Sequence, residues 1–256
     1  MPWVMRNQYF EKYRIELEKI SERVASILGE NFLGFYVAGS IVTDAWDPQK
    51  SDIDFFVITK RPLGEEENTR IRELHEELSA TDLGKKLEGD YVDLDLLRRK
   101  SFDRLTGSVK DGKFTPNFPC QISADNILCL VQYGKCIQGT PIEELSLEVN
   151  ESELKDAVKS MLVEDREEVD KVNDFETLYY LLTDSLRCIY TLETSNLPTK
   201  RTAIEHSRNL LGEGLYRDIT QFVDDGKEFQ IDKTVLKRIM DYGLLRDKSL
   251  SSRVNE

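Results

Sequence analysis

"FYVAGSIVTDAWDPQKSDIDFFVIT", residues Phe35–Thr59, places a polar loop between two apolar runs rich in β-forming residues. The first run stops at Gly39-Ser40, and the second begins directly from Asp52-Ile53-Asp54. Short apolar runs bounded by glycine and polar residues are expected to be core strands. Side chains at i and i+2 of a strand point the same way, so Asp52 and Asp54 present their carboxylates together while Ile53 and Phe55 face the other side. Two adjacent carboxylates repel each other, and a divalent cation between them relieves the repulsion. Mg²⁺ is suited to this, because it takes one or two carboxylates plus substrate phosphate oxygens. If "IVTDAW" starts a helix, Gly39-Ser40 lets backbone N–H groups and a hydroxyl approach an anion at its N-terminus. A phosphate site beside a metal site is what nucleotidyl transfer requires.

On the N-terminal side, Phe10, Tyr13, Leu17, Ile20, Val24 and Ile27 recur at helical spacing and predict an amphipathic opening helix that stops at Gly29. Beyond the quoted stretch, a helix is expected over Thr69–Leu78 and a third strand from Tyr91 to Leu96. From Asn126, "DNILCLVQYGKCIQG" predicts a helix followed by a short strand or turn, and "TPIEELSLEVN" predicts a connector. The rest is helical in pattern. Leu154, Val158, Met161 and Leu162 mark one segment, and Phe175, Leu178, Leu182, Leu186 and Ile189 mark the next; further helices are expected over 200–211, 214–224 and 233–243. The tail "SLSSRVNE" is expected to be disordered. The predicted fold is α+β: an N-terminal domain over 1–147 with a mixed sheet and flanking helices, then an all-α domain over 148–256.

A chain of 256 residues, 39% of them hydrophobic, can bury one large core or two modest ones. No run approaches the roughly 20 apolar residues of a membrane span, and the N-terminus lacks the order of a signal peptide, so a cytoplasmic monomer is expected. Cys120, Cys129, Cys136 and Cys188 lack zinc-site pairing and are read as small hydrophobes in a reducing compartment. The formal charge of −13 argues against a nonspecific nucleic-acid binder and favours a cationic ligand. His75 and His206 are read as structural helix residues.

Gly39-Ser40 followed by "SDIDFFV" resembles the signature of the DNA polymerase β-like nucleotidyltransferase superfamily. The resemblance implies that Asp52 and Asp54 hold Mg²⁺ and that Ser40 contacts nucleotide phosphates. In the second half, "RCIYTLETSNLPTK" (Arg187–Lys200) is similar to the helical domain of the streptomycin/spectinomycin aminoglycoside adenylyltransferases, and "CIQGTPIEEL" resembles their interdomain crossing. That likeness implies that Arg187 and Lys200 help bind ATP phosphates. It also implies a third carboxylate as general base; Glu88 in "KKLEGDYV" matches best, with Asp93, Asp95 and Asp90 as alternatives.

The implied reaction is Mg²⁺-dependent transfer of AMP from ATP to a hydroxyl of a small, cationic acceptor of the aminoglycoside or aminocyclitol class, with release of pyrophosphate. No membrane or stable nucleic-acid partner is implied. Two other classes stay open: a toxin–antitoxin type enzyme that labels RNA or protein, and a nucleotide-binding protein without catalysis. The chain departs from the antibiotic-modifying family after the base strand, where "RRKSFDRLTGSVKDGKFTPNFP" contains no tryptophan. The family's antibiotic-binding acids also lack clear counterparts, although Asp174, Glu176 and Asp184 lie nearby in sequence.

Overall fold

The computed structural model describes residues 8–43, 46, 51–100 and 104–246. The chain divides into two compact units, Met1–Val149 and Asn150–Glu256. The first is built on a six-stranded mixed sheet, and the second contains only helices among the described residues, so the fold is α+β as expected.

The opening helix α1 (Gln8–Leu28) buries Leu17, Ile20, Val24 and Leu28, a stripe spaced at three and four residues, and Gly29 ends it in the left-handed region at φ 50°. Strand β1 (Phe32–Val37) follows and pairs antiparallel with β2 (Ile53–Thr59). Helix α2 (Glu65–Leu78) then returns the chain so that β3 (Leu87–Asp93) lies parallel to β2. Helix α3 (Leu94–Arg99) comes next, and then the hairpin of β4 (Leu105–Lys110) and β5 (Lys113–Pro119). Helix α4 (Ala124–Tyr133) leads to β6 (Lys135–Gly139), which pairs with the free edge of β1. The strand order is β5-β4-β3-β2-β1-β6.

Alternation along the strands makes two apolar layers. Phe35, Val37, Ile53, Phe55, Val57, Leu87, Tyr91 and Val109 pack beneath α1 and α2. On the opposite face Tyr36, Ala38, Phe56, Ile58 and Val92 pack with Leu96 and Leu97 of α3 and Ile127 and Leu130 of α4. This second layer covers only the part of its face toward the C-terminal ends of β2 and β3. The remaining positions of that face, by the two-residue period, belong to Asp52, Asp54, Glu88 and Asp90.

Two local expectations need correction, and one hairpin is added to them. Helix α2 starts at Glu65 rather than Thr69, because the Glu67 carboxylate turns back to accept the Gly64 N–H at 2.7 Å and secures an earlier start. The alternation read as a strand from Tyr91 to Leu96 spans the end of β3 and the first turn of α3. There Asp93 accepts the Leu96 N–H at 3.0 Å as an N-cap, and the consecutive residues Leu96 and Leu97 are both buried, which a strand with one covered face does not allow. The β4–β5 hairpin was not expected. It turns through Asp111-Gly112, with φ of 51° and 70° as the mirror-image hairpin turns require.

The second unit comprises α5 (Glu151–Glu168), α6 (Phe175–Thr194), α7 (Lys200–His206), α8 (Arg208–Asp225), interrupted by a non-helical Gly212, and α9 (Lys233–Arg246). Gly243 permits close packing, since a Cβ there would meet Ile189 Cγ1 at 2.8 Å and Leu162 Cδ1 at 3.0 Å. The tail expected to be disordered lies outside the described residues. No helix among those described is long and apolar enough to cross a membrane. Cys188 is buried and Cys120 and Cys129 pack partly buried against the second layer, but Cys136 is exposed and departs from the reading of the cysteines as small hydrophobes.

His75 is buried in the first layer, with Nε2 2.8 Å from the Tyr91 hydroxyl and its ring stacked near Phe55 and Phe114. Burial pushes its pKa down to about 4. The unfolded imidazole takes up a proton near pH 6.5 and the folded one does not, so stability falls as pH drops from about 6.5 toward about 4, by on the order of 3 kcal/mol for this group. Urea unfolding of the wild type and His75→Phe across this range should show the wild type losing stability relative to the variant.

Candidate active site

The register of β2 between its neighbours assembles the site. Asp54 stands opposite Glu88 in the parallel pairing, and Phe56 stands opposite Asp90. On the other side, Val37 pairs with Phe55, and the Ala38 N–H donates to the Asp54 carbonyl at 2.9 Å, so the chain leaving β1 passes beside Asp54 at Gly39-Ser40. Of the residues singled out in sequence, Gly39, Ser40, Asp52, Asp54 and Glu88 therefore come together on one end of the sheet. Gly39 has φ 70°, and a Cβ placed on it would lie 1.8 Å from Asp54 Oδ2. Both the backbone conformation and the passing carboxylate thus require glycine. After it, Gly39–Val42 form a single short 3₁₀ turn rather than the start of a longer helix; Asp44 and Ala45 lie outside the described residues.

Asp52 is held through its backbone. The Trp46 indole N–H donates to the Asp52 carbonyl at 2.8 Å, and Trp46 is itself buried against Tyr9 and Tyr13. Lys86 donates to the Ser51 carbonyl at 3.3 Å, with its ammonium 5.6 Å from the Trp46 ring centroid. Burial pushes the Asp52 carboxyl up from the ordinary carboxylate range, and the Lys86 charge partly offsets this. The Glu88 carboxyl is pushed up by burial and then by the neighbouring charge of Asp52. On β4, Val109 pairs with Gly89 and Ser108 with Asp90, so Ser108 and, by the strand period, Lys110 extend the same polar face; the Lys110 charge acts on both Asp52 and Glu88. Asp90 is half-buried, and its carboxyl is pushed up to about 6 by burial, an effect the Ser108 hydroxyl partly offsets.

The other candidate bases are placed elsewhere. Asp93 caps α3 and lies 3.4 Å from Arg104, while Asp95 lies on α3, 2.8 Å from Arg99. In the helical unit, Arg187 lies on α6, 3.3 Å from the buried Asp184, and Lys200 is the first residue of α7, after the N-cap Thr199. Asp174 accepts the Thr177 N–H as the N-cap of α6. Burial and the Asp184 charge push the Asp165 carboxyl of α5 up to about 7.

Among the described residues, no three His, Cys, Asp or Glu side chains converge closely enough to hold an ion by themselves. Two hard carboxylates on one strand face, with open coordination positions toward a substrate, fit Mg²⁺ brought in with phosphates rather than a closed protein cage. Trp46, Ser108 and Lys110 were not singled out from sequence. Asp111-Gly112 flanked by alternating residues was the signal that could have placed the last two on a hairpin.

Replacing Gly39 with alanine should displace Asp54 as well as strain the turn. Thermal unfolding should show a loss of about 1–2 kcal/mol from the backbone.

Residues 17–104, within the first unit, match the family model described as a nucleotidyltransferase domain. The full fold is shared with the spectinomycin adenyltransferase AAD(9) from Enterococcus faecialis, solved with ATP and spectinomycin. The TM-score is 0.67 at 19% identity, over 93% of this chain and 99% of that one. Weaker likenesses are to a toxin-antitoxin solved with AMP-PNP (TM-score 0.28, 19% identity, 59% of this chain and 90% of that one) and to a nucleotidyltransferase-like protein from Exiguobacterium sibiricum 255-15 (TM-score 0.31, 12% identity, 94% and 74%). No curated protein matches the chain.

Proposed function

We propose that this chain, which carries a nucleotidyltransferase domain, transfers AMP from ATP to a hydroxyl of a small cationic acceptor of the aminocyclitol or aminoglycoside class and releases pyrophosphate. The observation that carries the reading is the strand register: Asp54 opposite Glu88, Asp52 on the same face, and Gly39-Ser40 against Asp54. ATP and the small-molecule acceptor are taken from the adenyltransferase that shares the fold. A cationic acceptor agrees with the formal charge of −13.

In this reading Asp52 and Asp54 hold Mg²⁺, which when bound neutralises phosphate charge. The Ser40 hydroxyl binds a phosphate oxygen, and Arg187 and Lys200 contribute cations to the triphosphate. Glu88 takes the proton of the acceptor hydroxyl as its oxygen bonds to the α-phosphorus and the bond to the bridging oxygen of pyrophosphate breaks. Trp46 and Lys86 fix the backbone at Ser51-Asp52 and so keep the acid pair in position. Positioning and charge neutralisation dominate phosphoryl chemistry, so a metal-holding carboxylate matters more than the base.

Incubation with ATP, Mg²⁺ and a panel containing streptomycin, spectinomycin and simpler aminocyclitols, followed by mass spectrometry, should yield one acceptor carrying an added AMP. If the protein binds ATP with Mg²⁺ but no panel member is modified, the small-molecule reading is wrong. In the same assay Asp54→Asn should abolish transfer, and Glu88→Gln should slow it by about 10²- to 10⁴-fold. Arg187→Ala and Lys200→Ala should each raise the KM for ATP.

A further inference from the structure

The polar face does not end at the residues needed for the reaction. Asp90 lies two positions beyond Glu88 on the same face of β3, and it faces Phe56 on one side and Ser108 on the other. In a strand this spacing separates side-chain origins by about 7 Å, comparable with the width of a six-membered ring carrying substituents. Asp90 lies on β3, which β2 separates from β1 and the Gly39-Ser40 turn, and it is one step further along the strand face than Glu88, whose partner Asp54 touches Gly39. Among the described residues no Lys, Arg or His side chain forms an ion pair with it, unlike Asp93, Asp95 and Asp184, each of which meets an arginine. A carboxylate has about four lone-pair positions, and the Ser108 hydroxyl supplies one donor.

Half-burying an anion without a cation costs stability unless something else binds it. The charge of Glu88 nearby adds to that cost, in agreement with the raised Asp90 carboxyl. A structural role is not evident: Asp90 caps no helix, and its strand needs only a residue that tolerates the Ser108 and Phe56 positions. An isosteric asparagine would serve the sheet as well.

We propose that Asp90, supported by Ser108, is the specificity-determining residue of the acceptor site and binds an ammonium group carried on the acceptor ring about one ring width from the hydroxyl presented to Glu88. This rests on the small-molecule transfer reading above and adds the recognition element to it. The ammonium completes the donor set of Asp90 and offsets the repulsion from Glu88. The same contact orients the ring, so the hydroxyl lying across it from the ammonium is the one offered for transfer. A neutral polyol of the same shape leaves Asp90 without its counter-charge and is rejected.

The test is calorimetric binding to the full chain in the presence of Mg²⁺ and a non-hydrolysable methylene analogue of ATP. The probes are 2-deoxystreptamine and the neutral scyllo-inositol, measured on the wild type, Asp90→Asn and Ser108→Ala. The expected result is that the wild type prefers the diammonium ring and that Asp90→Asn weakens its binding by about 10- to 100-fold, with affinity for the ATP analogue unchanged. Ser108→Ala, which keeps the charge but removes its holder, should weaken it less; this variant and the two-probe comparison on the wild type carry the test if Asp90→Asn does not fold. Equal binding of 2-deoxystreptamine by the wild type and Asp90→Asn overturns the assignment of Asp90 while leaving the transfer reading intact. A wild type that binds the ATP analogue but neither ring overturns the acceptor reading and this inference with it.

Discussion

The parallel pairing of β2 with β3 is the constraint on which the candidate site depends. Ile53 against Leu87 and Phe55 against Gly89 direct one alternate set into the layer beneath α1 and α2, and the same pairing puts Asp54 beside Glu88 on the reverse face. A slip of one residue would exchange the two sets, burying carboxylates beneath the helices and turning Phe55 and Val57 outward. The apolar layers therefore hold the register far more firmly than the acids, by mutual repulsion, could disturb it. Burial of the hydrophobic sets thereby offsets the unfavourable proximity of Asp52, Asp54, Glu88 and Asp90.

Covering the second sheet face only in part is what leaves room for the candidate site. Where α3 and α4 lie over Phe56, Ile58 and Val92 the face is dry core, and beyond them the same strands carry acids, Ser108 and Lys110. The chain needs no separate loop to build this polar surface. Strands extended past the edge of their helical cover place the functional groups on rigid backbone, and loops are left to close the ends. Gly39 shows how closely the parts fit, because the turn after β1 passes against the Asp54 carboxylate, which any Cβ at that position would displace.

Much of this was legible in the sequence where one period dominated. The helical spacing of Leu17, Ile20 and Val24, the runs Phe32–Val37 and Ile53–Thr59, and the spacing of Asp52 and Asp54 each follow from one rule, and the structure reproduces them, with Leu28 rather than Ile27 closing the buried stripe. The failures came where signals overlapped. "DYVDLDLL" alternates like a strand, yet Asp93 caps a helix within it, so local side-chain-to-backbone bonding overrode the pattern; by the two-residue period Asp93 and Asp95 would in any case have faced away from Glu88. The hairpin was overlooked because its strands carry Thr106, Ser108 and Lys110 on one side and glycine at 107, which weakens the apolar signal even though Asp111-Gly112 marked the turn. Trp46 gave no periodic signal at all. Its role in anchoring Asp52 depends on contacts with Tyr9 and Tyr13, which come from a distant part of the chain.

The outer partner of β1 is β6, formed by Lys135–Gly139. While the chain is being made, β1 can pair with β2 soon after both have emerged, but its other edge stays open until nearly the whole first unit has been synthesised. During that interval the apolar segment Phe32–Val37 presents unpaired N–H and C=O groups. The wall of the site formed by β1 is therefore completed last on one side, and the interval between the appearance of β1 and of β6 is when the nascent chain is most exposed to pairing with strands other than its own.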